Sequence, residues 1–179
     1  MVRAFSAPVF AGLSLLSLPA AAFMVPAAAM AAPVVAAPKA QASVGLVRPL
    51  TLQRWADLDF ATLGVTTGGT ATVDPVTGAL SVSGGVVPLV GTPSAARYAG
   101  AASKQTVVII RSPKAPVLIF RVGGTETLSV SNFTLDGQDK KSLAQQESFA
   151  FAVGATITVP AGTVEGLYTG EFDVTVQYP

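Results

Sequence analysis

Apolar and polar positions alternate along much of this chain. From residue 168 the even positions are Tyr168, Gly170, Phe172, Val174, Val176 and Tyr178, and the odd ones are Thr169, Glu171, Asp173, Thr175 and Gln177. Period-two alternation is the mark of a strand with one buried face. The same pattern runs through Phe149, Phe151 and Val153, then Ala155, Ile157 and Val159. Short continuous apolar runs at 107–110 and 117–120 suit strands in the middle of a sandwich. Weaker strand signals lie at 50–53, around Leu58 and Phe60, in "ARYAGAA" and in "ETLSVSNFTL".

Turn residues separate these stretches. Asp74, Pro75, Val76, Thr77 and Gly78 predict a turn between hairpin arms at 70–73 and 79–83, because proline presets φ and glycine accepts a left-handed conformation. The pairs Gly68-Gly69, Gly84-Gly85 and Gly123-Gly124 read as turns at strand ends. The polar stretch 136–147 is the one place that suits a short helical turn. About eight short strands spaced near ten residues apart predict an all-β fold, an antiparallel β-sandwich.

Composition then divides the chain. Half of its 179 residues are hydrophobic and 12% are charged, and no charge lies between Arg3 and Lys39. A transmembrane helix needs roughly 20 apolar residues without strong breakers, and Pro8, Gly12, Pro19, Pro26 and Pro33 interrupt this run. Arg3, the apolar core 9–18 and the small residues that follow fit a secretory signal peptide over 1–31. Cleavage after Ala31 leaves a flexible arm at 32–48 ahead of a domain at 49–179, whereas cleavage after Ala42 removes much of that arm.

The chain has no histidine and no cysteine. Ser-His-Asp and Cys-His catalysis and ordinary zinc ligation are therefore excluded. The body is long enough to bury a core without disulfides. Residues 39–121 carry eight bases against three acids, a net of +5, and residues 122–179 carry two bases against seven acids, a net of −5. Opposite fields of this kind can steer head-to-tail association. The bases are spread out with no aromatic stacking motif among them, so nucleic acid is not an expected partner.

Candidate chemistry is sparse. Asp57 and Asp59 would share a face if their stretch were a strand, but the simpler reading is the solvent side of Leu58 and Phe60. Asn132, Asp136 and Asp139 offer oxygen ligands without the spacing of a calcium loop. Trp55 and Tyr98 could stack on a sugar, but packing is the simpler reading for two scattered aromatics. No Ser-x-x-Lys occurs, and the glycine pairs form neither a P-loop nor a dinucleotide fingerprint. The reading is a non-enzymatic domain with no catalytic residues, no metal and no small-molecule cofactor.

A second unpaired pattern precedes the domain. Ala40, Ala42, Val44 and Leu46 alternate with Lys39, Gln41, Ser43 and Gly45. An open sheet edge is a liability unless it is covered. The early segment could cover an edge of its own domain. Alternatively it could enter a neighbouring subunit as a donor strand, with Phe172, Val174, Val176 and Tyr178 on the acceptor strand.

The pieces "LDF" (58–60), "TVDPVTG" (72–78), "GGV" (84–86), "VGATITVPAG" (153–162) and "GLYTGEFDVTVQY" (166–178) resemble a family of small secreted bacterial domains of unassigned function. That family looks related to the spore coat U domain and to archaic chaperone–usher pilins. The resemblance implies an immunoglobulin-like sandwich lacking its last strand, exported to the periplasm and then the cell surface. It also implies a head-to-tail homopolymer assembled with a periplasmic chaperone and an outer-membrane usher. Two departures stand out: many archaic pilins carry a disulfide, which this chain cannot form, and the glycine that often follows "LDF" is Ala61 here. The rival expectation is a self-contained monomeric surface binding module, with a glycan as the candidate ligand.

Overall fold

A computed structural model describes residues 33–179. The expected signal peptide lies outside them. Residues 44–179 form one compact unit, to which the described residues 33–43 do not belong. Residues 33–50 contain no strand.

Eleven strands and no helix are found among the described residues. They are β1 (Thr51–Ala56), β2 (Thr62–Val73), β3 (Leu80–Val90), β4 (Ala96–Ala101), β5 (Thr106–Arg111) and β6 (Val117–Arg121). Then follow β7 (Thr127–Leu135), β8 (Lys140–Leu143), β9 (Ser148–Val159), β10 (Tyr168–Thr169) and β11 (Thr175–Gln177). All pairings are antiparallel. The larger sheet runs β1-β4-β9-β7-β6-β10, with β2 joining β9 and β3 joining β2. The smaller runs β11-β5-β8. The protein is an all-β sandwich, as the alternation predicts.

β9 organises the larger sheet. On one side it pairs first with β4 and then with β2, and on the other with β7. Its odd residues Phe149, Phe151, Val153, Ala155, Ile157 and Val159 are all buried. They join two main apolar clusters, one around Val108 and Ile110 of β5, the other around Ala71, Val86 and Val130. Among the described residues no polar or charged side chain is buried.

The predicted β2–β3 turn forms as expected. The Asp74 carboxylate accepts hydrogen bonds from the Val76 and Thr77 N–H groups and from the Thr77 hydroxyl, at 2.7–2.9 Å. These bonds hold its pKa below the ordinary aspartate value, the Thr77 N–H contributing most. Gly78 takes φ 73°.

Several expectations are corrected. Gly68-Gly69 and Gly84-Gly85 are not terminal turns: they lie within β2 and β3, where Gly69 faces Gly84 at an irregularity in the ladder. A Cβ on Gly69 would collide with the Ser83 carbonyl, and one on Gly84 would meet the Gly69 Cα at 2.9 Å. The close approach of the two backbones requires glycine there. Residues 140–143 form a strand rather than a helical turn, because β5 offers them a pairing edge. β6 is not central: Leu118 and Phe120 are each 53% exposed on its outer face. Ala61 keeps a left-handed turn at φ 57°, with its N–H donating to the Asp59 carboxylate at 2.7 Å.

The final alternating stretch is not one strand either. β10 pairs with β6 in the larger sheet, and β11 pairs with β5 in the smaller. The chain changes sheets at Gly170, where a Cβ would meet the Ile119 side chain at 2.6 Å. Tyr168 therefore packs on the Val130 cluster, while Phe172, Val174, Val176 and Tyr178 pack on the Val108 cluster.

Candidate functional site

The edges of β1 and β11 border the Val108 cluster without a backbone partner among the described residues, as does that of β8, which carries Leu143. β1 pairs with β4 alone, and β11 pairs with β5 alone. Leu50 and Leu52 reach the cluster from the first edge, and the even residues 172–178 from the second.

Those even residues are only half-buried, whereas Glu171, Asp173, Thr175 and Gln177 between them are exposed. Val108 and Ile110 beneath are 0% and 1% exposed. The layer under the terminal strand is closed, and the strand itself is covered on one side only.

Hydrogen bonds relate the β1 and β11 edges at one end. The Tyr178 hydroxyl donates to the Arg48 carbonyl at 2.8 Å and accepts from the Ser103 N–H at 3.0 Å. This ties the end of the terminal strand to the residues leading into β1. Arg48 is held in turn by Glu147, with a 2.7 Å ion pair. Further along, Tyr98 lies in the field of Arg54 and Asp57 from the β1 side and of Asp173 from the terminal strand. Burial is the main cause that pushes the Tyr98 phenol pKa up. Its ring stacks on Phe151 at 5.2 Å, and Phe172 packs on Phe133 at 5.0 Å. A shallow cleft of about 300 Å³ opens at the start of the terminal strand, lined by Arg111, Pro113, Val117, Phe172 and Thr175 among others. Apolar side chains below and two strand edges without a strand partner at the rims suit an extended peptide.

The four expected acceptor residues are thus brought together on one wall. The expected donor residues Ala40, Ala42, Val44 and Leu46 form no strand here, and Val44 and Leu46 are 82% and 89% exposed. Asp57 and Asp59 do not share a function: Asp57 pairs with Arg54 at 2.6 Å, and Asp59 binds the Ala61 N–H. Asp136 lies 3.6 Å from the Lys141 ammonium, and no group of three acidic residues gathers for a metal among the described residues. Trp55 is 71% exposed on the irregular part of β1, whereas Tyr98 faces the core, so they build no common sugar platform. The basic and acidic portions of the chain interleave, since Arg48 and Lys104 both pair with Glu147, and Arg121 with Glu126. Sequence reasoning missed Arg48 and Ser103. Their role depends on contacts 130 and 75 residues away, which no local pattern reports.

No curated protein and no solved structure matches the chain. A family profile matches residues 50–178, from the residue before β1 to the tyrosine that closes the half-covered wall. The chain belongs to that family, described as "Domain of unknown function (DUF4402)".

Proposed function

We propose that this chain is an exported structural subunit that polymerises head to tail by donor-strand complementation. In this reading the domain is an immunoglobulin-like sandwich without its final strand, akin to archaic chaperone–usher pilins and the spore coat U domain. A periplasmic chaperone and an outer-membrane usher serve its assembly. One observation carries the reading: the half-buried face of Phe172, Val174, Val176 and Tyr178 beside two unpaired strand edges. The alternating segment 39–46, which forms no strand within its own chain, supplies a donor of matching period. Inserted beside the terminal strand of the next subunit, it would gain main-chain hydrogen bonds and place its apolar residues on the Val108 cluster. Such an interface is heterologous and generates an open filament.

The test is the assembly state of the exported protein. SDS-resistant ladders that vanish on deletion of residues 39–46, and a mature N-terminus at Ala32, are the expected results. A stable monomer unaffected by that deletion, or a mature N-terminus at Ser43, overturns the reading.

A further inference from the structure

The outer face of the larger sheet carries two ranks of hydroxyls. Strand register places Ser131 of β7 opposite Thr156 of β9, Thr156 opposite Thr72 of β2, and Thr72 opposite Ser81 of β3. One step along, Ser129, Thr158, Thr70 and Ser83 align in the same order. Their strand neighbours Val130, Ile157 and Ala71 are buried, so alternation turns the hydroxyls outward. All eight are half-buried or exposed, and Thr72 and Thr156 share a hydrogen bond of 2.8 Å. Neither rank contains a charged residue. Toward β6 the ranks give way to exposed Leu118, opposite Ser129, and exposed Phe120, opposite Thr127.

β-propensity accounts for threonine on a solvent face. It does not account for two unbroken ranks crossing four strands without a single lysine or glutamate. We infer that this face binds a single chain of a neutral, β-linked hexose polymer lying across the strands. Neighbouring strands are roughly 4.7–4.9 Å apart, close to the advance of one unit along such a chain. The ranks are roughly 6.6 Å apart, two residues along a strand, so one ring can meet a hydroxyl in each. Phe120 and Leu118 offer an apolar surface to the CH face of a unit at the end of the ranks. Ranks without a charged side chain have nothing to pair with uronates or phosphates. Sheet twist rotates each strand by about 20–25° from the last, which suits a soluble chain that can follow the twist rather than a flat crystalline surface. Each unit binds weakly, and affinity accumulates along the ranks. This surface is separate from the half-covered edge, and its proposal does not depend on the assembly reading.

Affinity electrophoresis of the full exported chain through gels containing soluble mixed-linkage β-glucan tests the inference, with alginate as the acidic comparison. The β-glucan retards the protein, and alginate does not. Affinity for β-linked gluco-oligosaccharides rises with length and levels off at about four to five units, when the ranks are filled. Paired Thr158→Lys and Ser83→Lys substitutions weaken binding by about tenfold or more, with the thermal midpoint unchanged. Thr158→Val gives a smaller loss, and paired Gln145→Lys and Gln146→Lys, an equal added charge on a remote loop, give none. Absence of retardation by β-glucan, equal retardation of the paired variant, or preference for alginate overturns the inference. So does self-association that the paired variant abolishes without any polymer binding, which would make the face an interface between copies.

Discussion

β9 and the terminal segment 171–178 have the same sequence pattern and opposite fates. Both alternate inward apolar residues with outward ones, and Phe149, Phe151 and Val153 of β9 share the Val108 cluster with the even residues 172–178. β9 is paired on both sides, and its inward residues are 0–6% exposed. The terminal segment is paired through three residues on one side, and its inward residues remain half-buried. Alternation chooses which face a strand buries; the number of neighbours sets how completely.

The contrast can be broken from its closed side. Phe151→Ala removes a ring that is 2% exposed, at a cost of about 3–5 kcal/mol, read as lost stability in chemical denaturation. From the open side, a copy of residues 39–48 joined after Pro179 by a flexible linker should occupy the free edge in the same chain. It is expected to stabilise the domain by about 2–4 kcal/mol through newly buried apolar area, raise the thermal midpoint and abolish ladders. An unchanged midpoint would mean that the edge does not accept this segment.

Val176→Ala should be milder than Phe151→Ala in the isolated domain, about 1–2 kcal/mol for a half-buried side chain, yet should eliminate SDS-resistant ladders. If both substitutions affect folding and assembly in the same proportion, the distinction between closed and open walls fails. Ala61→Gly lies away from both strands and relieves a left-handed conformation at φ 57°. It should stabilise by about 0.5–1 kcal/mol without altering ladders.

The smallest effect concerns pH. The Arg121 guanidinium holds the Glu126 carboxyl well below its usual value, from 4.5 to about 2. A depressed carboxylate contributes stability above its unfolded pKa and loses it as pH falls through the folded one. The difference in thermal midpoint between the wild-type chain and Glu126→Gln should therefore shrink between pH 4.5 and 2. The pair is only half-buried and screened by solvent, so the change is small. It belongs to the β6–β7 turn and should leave the terminal segment untouched.

Much of this was legible in the residues themselves. The alternation at 149–159 and 172–178 named the inward faces correctly, and Asp74 with Gly78 named the turn. The apolar runs 107–110 and 117–120 looked alike, yet one became the centre of the smaller sheet and the other a strand near an edge with Leu118 and Phe120 exposed. Continuous apolarity does not report how many strands lie alongside. Gly123-Gly124 lies in a turn just past β6, as expected, whereas Gly68-Gly69 and Gly84-Gly85 lie within strands for a related reason: their need for glycine comes from a facing backbone, which is not encoded nearby.

The sequence by itself determined the periods, the turn chemistry and the absence of histidine and cysteine, because each depends on a residue and its immediate neighbours. Only the tertiary structure decided that the last alternating stretch divides at Gly170, and that its second part lies beside an unpaired edge. It alone brought four strands' hydroxyls into two ranks. Those outcomes follow from which strands pair across distances of up to about a hundred residues, and sheet pairing is a property of the partner as much as of the strand.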